Sequence, residues 1–288
     1  MKEIKLPEHF NYVGIFLTFA CNLQCSFCLN RQRETRPKYK HLSAKQWGMA
    51  VNRLQLRPDL PVTLQGGEPT LHKEFFKIIK NIRKDINIDL LTNSMFNIDE
   101  FIKNIPPERM RRDSPYASIR ISYHPEQMEL DELIPKVKKL LSYGYSVGVW
   151  IVDHPRDTQW IHLAQAVMQR EGIDCRLKEF LGFHGNKFYG TYKYPKAVSG
   201  KKKRCLCKPS ELIIAPDGSM HRCHYDLYSN KEAYAHILDN NIKVLDTYTK
   251  CDYMGMCNSC DIKLKTNRFQ QFGHCSVEIK DYKETTNA

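Results

Sequence analysis

Three cysteines stand within eight residues near the start of the chain: Cys21, Cys25 and Cys28, in the stretch FACNLQCSFCLN. This spacing puts three thiolates on one tight loop. A structural zinc needs four ligands, usually paired from two separate knuckles, and an iron–sulfur cluster also normally takes four cysteines. Three thiols therefore leave one coordination position over. It could be open to a small molecule on one iron of a 4Fe–4S cluster, or filled on zinc by a distant fourth ligand. Plain unligated thiols are the third reading.

Seven further cysteines lie between Cys205 and Cys275, and Cys175 stands alone as a small core hydrophobe. The chain is long at 288 residues, its cysteine count is odd at 11, and no export signal is visible. Those features suit a reducing compartment, where clustered thiols bind metal and seldom form disulfides. A cytoplasmic protein is expected. The longest apolar run near the N-terminus, YVGIFLTFAC, is about ten residues, too short to span a bilayer, so no membrane partner is expected.

The formal charge is +12, with basic runs at KKKR (201–204), RMRR (109–112) and RQRETRPKYK (31–40). Such runs suit nucleic acid or acidic substrates, and equally a solvated surface. No nucleic-acid-binding motif accompanies them, so charge alone leaves that partner open.

The elements that must position these thiols alternate short β runs with helical patterns. Strands are expected at 12–19, 61–65, 86–93, 117–123, 145–152 and 174–182. Helical periodicity separates them, with Ser43 as an N-cap before AKQWGMAV. Six strands alternating with helices predict parallel βα units, whose ligand site lies at the carboxyl ends of the strands. The cysteine loop follows the first strand and GGEPT follows the second. In ASIRISY, Arg120 and Ser122 share one face and Ile119 and Ile121 the other. Residues 183–204 lose apolar periodicity and are expected to be a linker. SELIIAPDGSMHRC then reads as a hairpin turning at Pro216-Asp217-Gly218.

These residues resemble the radical S-adenosylmethionine (radical SAM) superfamily. Its hallmark, C-x3-C-x-aromatic-C, reads here Cys21, Cys25, Phe27, Cys28, and its GGEP-type loop reads Gly66-Gly67-Glu68-Pro69. The resemblance implies an α/β fold, a partial (βα)6 TIM-like barrel over 1–182. It implies a 4Fe–4S cluster on the three cysteines, with the open iron chelating SAM. It also implies roles for single residues. The glycines admit SAM to the backbone, Glu68 accepts from its ammonium, Phe27 lies against the adenine and Gln65 reaches the ribose. Thr92 and Asn93 neighbour the cofactor, and Ser122 matches a ribose-binding serine. Turn or strand-end hydrogen bonding is the alternative for Thr92, Asn93 and Ser122. The implied chemistry is reductive cleavage of SAM to a 5′-deoxyadenosyl radical that abstracts hydrogen from substrate, fed by a flavodoxin- or ferredoxin-type reductant.

The later cysteines resemble the auxiliary-cluster domains called SPASM and twitch, through Cys207-x10-Gly218-x4-Cys223 and CDYMGMCNSC. The resemblance implies a small C-terminal cysteine-rich β-hairpin/α domain over 205–288 holding at least one auxiliary 4Fe–4S cluster. Cys207, Cys223, Cys257 and Cys260 are its expected ligands, with Cys205, Cys251 and Cys275 as alternates or members of a second, incomplete site. Tyr248 stands where a full SPASM pattern has another cysteine. A zinc ribbon is the rival.

The resemblance to auxiliary-cluster domains further implies net oxidation of the substrate, either a small sugar-like molecule or a peptide. With the first cluster cysteine at 21, no peptide-binding domain precedes the barrel, which brings the small molecule level with the peptide. Substrate-facing candidates at later strand ends are His124, Asp153 and Glu179. The His-Pro pairs at 124 and 154 also suit turns. An RNA- or nucleotide-modifying radical SAM enzyme and a zinc-binding interaction protein are the alternatives.

Overall fold

The computed structural model describes residues 2–29, 40–111, 113–266 and 272–282. Most of the basic run at 31–40 and Arg112 lie outside them. Six parallel strands form the barrel wall: β1 (Tyr12–Thr18), β2 (Val62–Gly66), β3 (Ile88–Thr92), β4 (Ile119–Tyr123), β5 (Val147–Asp153) and β6 (Cys175–Glu179). Helices α1 (Ala44–Val51), α2 (Phe75–Asn81), α3 (Ile98–Asn104), α4 (Leu130–Ser142) and α5 (Thr158–Arg170) connect them. All six expected strands form, within a few residues of the bounds read from the sequence. The chain thus has an α/β fold with a mostly parallel central sheet.

Local chemistry sets these elements. Ser43 caps α1 in a capping box: its Oγ accepts from Gln46 N at 3.3 Å, and Gln46 Oε1 accepts from Ser43 N at 2.9 Å. In β4, Ile119, Ile121 and Tyr123 are buried against the helices, while Arg120 and Ser122 face the interior, half-buried. Trp47, Ile78, Phe101, Val137 and Ile161 fill the space between helices and sheet. Burial of that apolar surface is the main force holding the wall in its curve. Among the described residues, no helix is long and apolar enough to cross a membrane.

The C-terminal third is joined to the barrel more closely than a linker at 183–204 suggests. That span holds an antiparallel hairpin (Gly182–His184 with Lys187–Tyr189) and a 3-10 turn at Pro195–Val198. Strand β7 (Lys203–Pro209) follows, and then β8 (Glu211–Ile214) pairs parallel with β1, Glu211 opposite Tyr12. β9 (Ser219–His221) and β10 (Ala235–His236) extend the same sheet, making nine strands. The expected hairpin turn is present, with Gly218 N donating to Ala215 O at 2.9 Å and φ +92° at Gly218. A separate sheet places β7 between β11 (Thr249–Met254) and β12 (Val277–Asp281). Two short helices, α6 (His224–Tyr228) and α7 (Ser259–Ile262), complete this end.

Candidate active site

The cysteine loop leaves the carboxyl end of β1 and lies against the GGEP turn. Gly67 N donates to Thr18 O and Glu68 N to Ala20 O, both at 2.8 Å. A Cβ on Gly66 would lie 2.0 Å from Thr18 O, and one on Gly67 2.2 Å from Ala20 O. The two glycines are thus what lets the second strand's turn dock on the cysteine loop.

Glu68 is the clamp of this region. It is 1% exposed, and burial pushes its carboxyl up. Four donors hold it: Thr70 N at 3.2 Å, Thr70 Oγ at 2.7 Å, Thr92 Oγ at 2.8 Å and Asn93 N at 2.7 Å. Asn93 Nδ2 donates in turn to Asn22 Oδ1 at 2.7 Å, and lies 4.0 Å from Cys21 Sγ. Thr92 and Asn93 thus hydrogen-bond Glu68, and Asn93 links it to the loop. Only Oε2 of Glu68 retains acceptor capacity for a ligand ammonium.

A second tether comes from the turn after β4, whose role the sequence reading missed. Glu126 accepts from Ser26 Oγ at 2.8 Å and Ser26 N at 3.3 Å, and pairs with Arg156. Burial alone would raise its carboxyl, but the hydrogen bonds from Arg156 and Ser26 bring it down to about 2. Gln127 Oε1 accepts from Gln24 N at 2.6 Å, and its Nε2 donates to Cys25 Sγ at 3.7 Å. The clue was positional: YHPEQ follows a strand's carboxyl end, where such sheets place ligand-facing loops. Cys21 is exposed, Cys28 half-buried and Cys25 buried, its thiol pushed up to about 12 by burial and by the neighbouring Cys28 and Cys21.

Inside the barrel runs a cavity of about 890 Å³. Of the expected site residues, Phe27, Cys28, Gln65, Gly66, Ser122, Glu179 and Cys260 line it; Gly67, Glu68, Pro69, Thr92, Asn93, His124 and Asp153 do not. Gln65 Oε1 accepts from Tyr12 at 3.0 Å, while its buried Nε2 has no partner among the described residues. Phe27 also borders a second cavity of about 280 Å³, with His154, Arg156, Phe180 and His184. Its ring lies 5.9 Å from that of His124 and 5.5 Å from that of His154.

The three strand-end candidates separate. Asp153 turns outward to His162 on α5, at 3.3 Å, because β5 alternates and its neighbours Val152 and Trp150 take the cavity side. His124 is half-buried, and loss of hydration pushes its ring down to about 4; its carbonyl accepts from Gln127 N at 3.0 Å, a turn contact. Glu179 lines the cavity and accepts from Thr191 Oγ at 2.8 Å.

The later thiols also separate. Cys205, Cys207, Cys223 and Cys251 are buried in one small core, with Cys257 packed against it. Cys205 stands directly opposite Cys251 across β7 and β11. The hydrogen bond these two thiols share favours Cys251 as the thiolate, Arg222 supports that, and Cys205 is driven the other way. Arg222 pairs with Asp226 at 2.9 Å and is the cation facing this thiol group. Cys260 instead lines the barrel cavity, where Lys265, Lys263 and Lys178 act on it. Cys275 Sγ donates to Ile262 O at 3.6 Å. Of the expected set, Cys207, Cys223 and Cys257 belong to the thiol core with Cys205 and Cys251, while Cys260 lines the barrel cavity. Among the described residues, no three Cys, His, Asp or Glu side chains are already gathered into a metal-sized group.

A loop of three thiols, packed on a glycine turn at the carboxyl end of a parallel barrel, defines a class. Residues 15–112 match the family model described as Radical SAM superfamily. Among curated proteins, molybdenum cofactor biosynthesis protein moc-5 of Caenorhabditis elegans is 27% identical over 202 residues, covering 65% of this chain and 32% of that protein. A probable GTP 3′,8-cyclase of Methanopyrus kandleri is 33% identical over 87 residues, covering 30% of this chain and 28% of that one. The chain thus spans about a third of the length of these curated relatives. Among solved structures, native anSMEcpe with bound AdoMet superposes with a TM-score of 0.54 at 14% identity, covering 79% of this chain and 78% of that one. That likeness is one of fold.

The residues present fit the cofactors this superfamily implies. Three thiols sit on one loop, the glycine turn that holds it leaves no room for a Cβ, and beside it Gln65 lines the cavity with its buried Nε2 unpartnered among the described residues.

Proposed function

We propose that this chain is a radical SAM enzyme that acts on a substrate inside the barrel. The observation that carries the reading is the docking of the cysteine loop on the Gly66-Gly67 turn at the mouth of a cavity lined by Phe27, Gln65 and Ser122. Cys21, Cys25 and Cys28 would hold the 4Fe–4S cluster. When bound, cluster and SAM together supply the electron and the adenosyl group from which a hydrogen-abstracting radical arises.

The protein's own part is positioning. Glu68 and Asn93 fix the loop to β3, and Glu126 and Gln127 fix it to the turn after β4. Gln65 and Ser122 present polar groups to SAM, and Phe27 offers an apolar face. The buried thiols around Cys205 and Cys251 would hold an auxiliary cluster, with Arg222 offsetting its charge.

Anaerobic reconstitution with iron and sulfide tests this. Iron and sulfide should load together, and SAM should then bind with micromolar affinity, lost in Cys28→Ala. Stoichiometric zinc without iron or sulfide would contradict the reading and support a structural zinc protein.

A further inference from the structure

The charges lining the barrel cavity are unbalanced. Three of its cations are already paired: Arg120 with Asp89 at 3.1 Å, Arg176 with Asp174 at 2.9 Å and Lys265 with Glu211 at 2.9 Å. Lys178, on β6, and Lys263, just beyond α7, have no side-chain hydrogen bond or ion pair with any described residue. Lys178 is surrounded mainly by other cations. Lys178 keeps exposed surface, and the protein around it, then Arg120 and Lys263, push its ammonium down. Glu179 is the carboxylate acting on Lys263, and it already accepts from Thr191.

A separate observation concerns Glu211. It is 3% exposed, yet it lines the same cavity. Its Oε1 takes Lys265 at 2.9 Å and His274 Nε2 at 3.2 Å. Asn11 Nδ2 donating to His274 Nδ1 at 3.1 Å leaves the ring proton on Nε2, so the ring donates to Glu211. Oε2 has no partner among the described residues. A buried carboxylate oxygen without a donor is costly unless a ligand supplies one.

We infer that the cavity binds a small substrate bearing a phosphate or carboxylate group, held by Lys178 and Lys263. The inference rests on the radical SAM reading for what is then done to that substrate, but not for the binding itself. The cavity is of small-ligand size, and one end, at Phe27 and Gln65, belongs to the cofactor. The rival account is that the lysines only offset a thiolate charge at Cys260.

The test uses the reconstituted full chain saturated with SAM, titrated calorimetrically with inorganic pyrophosphate and, separately, with succinate. At least one probe should bind the wild type, and which one does separates phosphate from carboxylate recognition. Lys178→Gln and Lys263→Gln should each weaken that probe about tenfold or more, the usual worth of a charge-assisted contact. Lys178→Arg should retain binding within about threefold, which keeps the test decisive if a neutral variant folds poorly. The surface double variant Lys201→Gln/Lys202→Gln should leave it unchanged. Binding of neither probe, equal loss in the surface variant, or lysine variants that change cluster content but not anion affinity would overturn the inference. SAM cleavage without substrate, followed in the same samples, separates the two readings. A wild type that binds the anion but yields no 5′-deoxyadenosine would leave this site standing and overturn the radical reading.

Discussion

The two cysteine groups are built in opposite ways. The first is one loop of eight residues whose thiols range from exposed to buried, gripped from outside by Glu68, Asn93, Glu126 and Gln127. The second gathers Cys205, Cys207, Cys223, Cys251 and Cys257 from three separate stretches of chain into a small apolar core. A loop can bring its thiols together before the rest of the fold forms. The second group exists only once β7 and β11 have paired in register. The loop is therefore a place where a ligand can enter, and the core a place where a cluster would be sealed in.

The largest expected effect contrasts the two groups directly. Cys25→Ala should reduce 5′-deoxyadenosine formation at least about a hundredfold, because a three-thiol site cannot lose a ligand. Cys251→Ala should leave cleavage in the absence of substrate within about threefold while lowering bound iron. Equal losses in both variants would erase the distinction.

Next comes Glu68→Ala. It removes a buried carboxylate and leaves its donors from Thr70, Thr92 and Asn93 unpaired, so stability should fall by about 1–3 kcal/mol in urea unfolding. A loss under about 1 kcal/mol would mean the clamp is not structural. Glu126→Gln keeps the shape but weakens the grip on Ser26 and Arg156. About 1 kcal/mol should be lost, as expected for a partly exposed charged contact. SAM affinity should weaken by a few-fold.

The smallest effect is a pH dependence at the far end. His221 is buried, 3% exposed, with neither ring nitrogen partnered among the described residues. Burial lowers its ring from 6.5 to about 4. The ring is neutral in the folded chain, whereas the unfolded chain takes up a proton below about 6.5. Its contribution is therefore complete above that pH and lost as pH falls toward 4, at up to about 1.4 kcal/mol per unit. His221→Leu should make the stability–pH slope between 6.5 and 4.5 shallower by up to one proton. An unchanged slope would show that His221 is already protonated or well solvated.

This contrast also explains what could be read from the sequence. The loop, the GGEP turn and the six strands were legible because each signal is contiguous and repeats with its element's own period. Ser122 sharing a face with Arg120 and Ser43 capping α1 followed from the same local rules. What did not follow depended on register and distance along the chain. Cys251 meets Cys205 because β11 pairs with β7 at that offset, which no spacing rule reveals. Cys260 was grouped with Cys257 by a two-residue gap, yet it lies on the cavity side. Glu211 read as the start of a hairpin, but β8 joins β1 and carries Glu211 to the cavity. Asp153 was expected inward, and alternation along β5 sends it to His162 instead.

The central claim is that the open position on the cysteine loop serves SAM cleavage. Its most direct test is wild-type protein, reconstituted anaerobically and mixed with SAM and dithionite, with products resolved by chromatography. The account predicts 5′-deoxyadenosine and methionine in equal amounts, both absent in Cys25→Ala. A wild type with a full complement of iron and sulfide that forms neither product would contradict it.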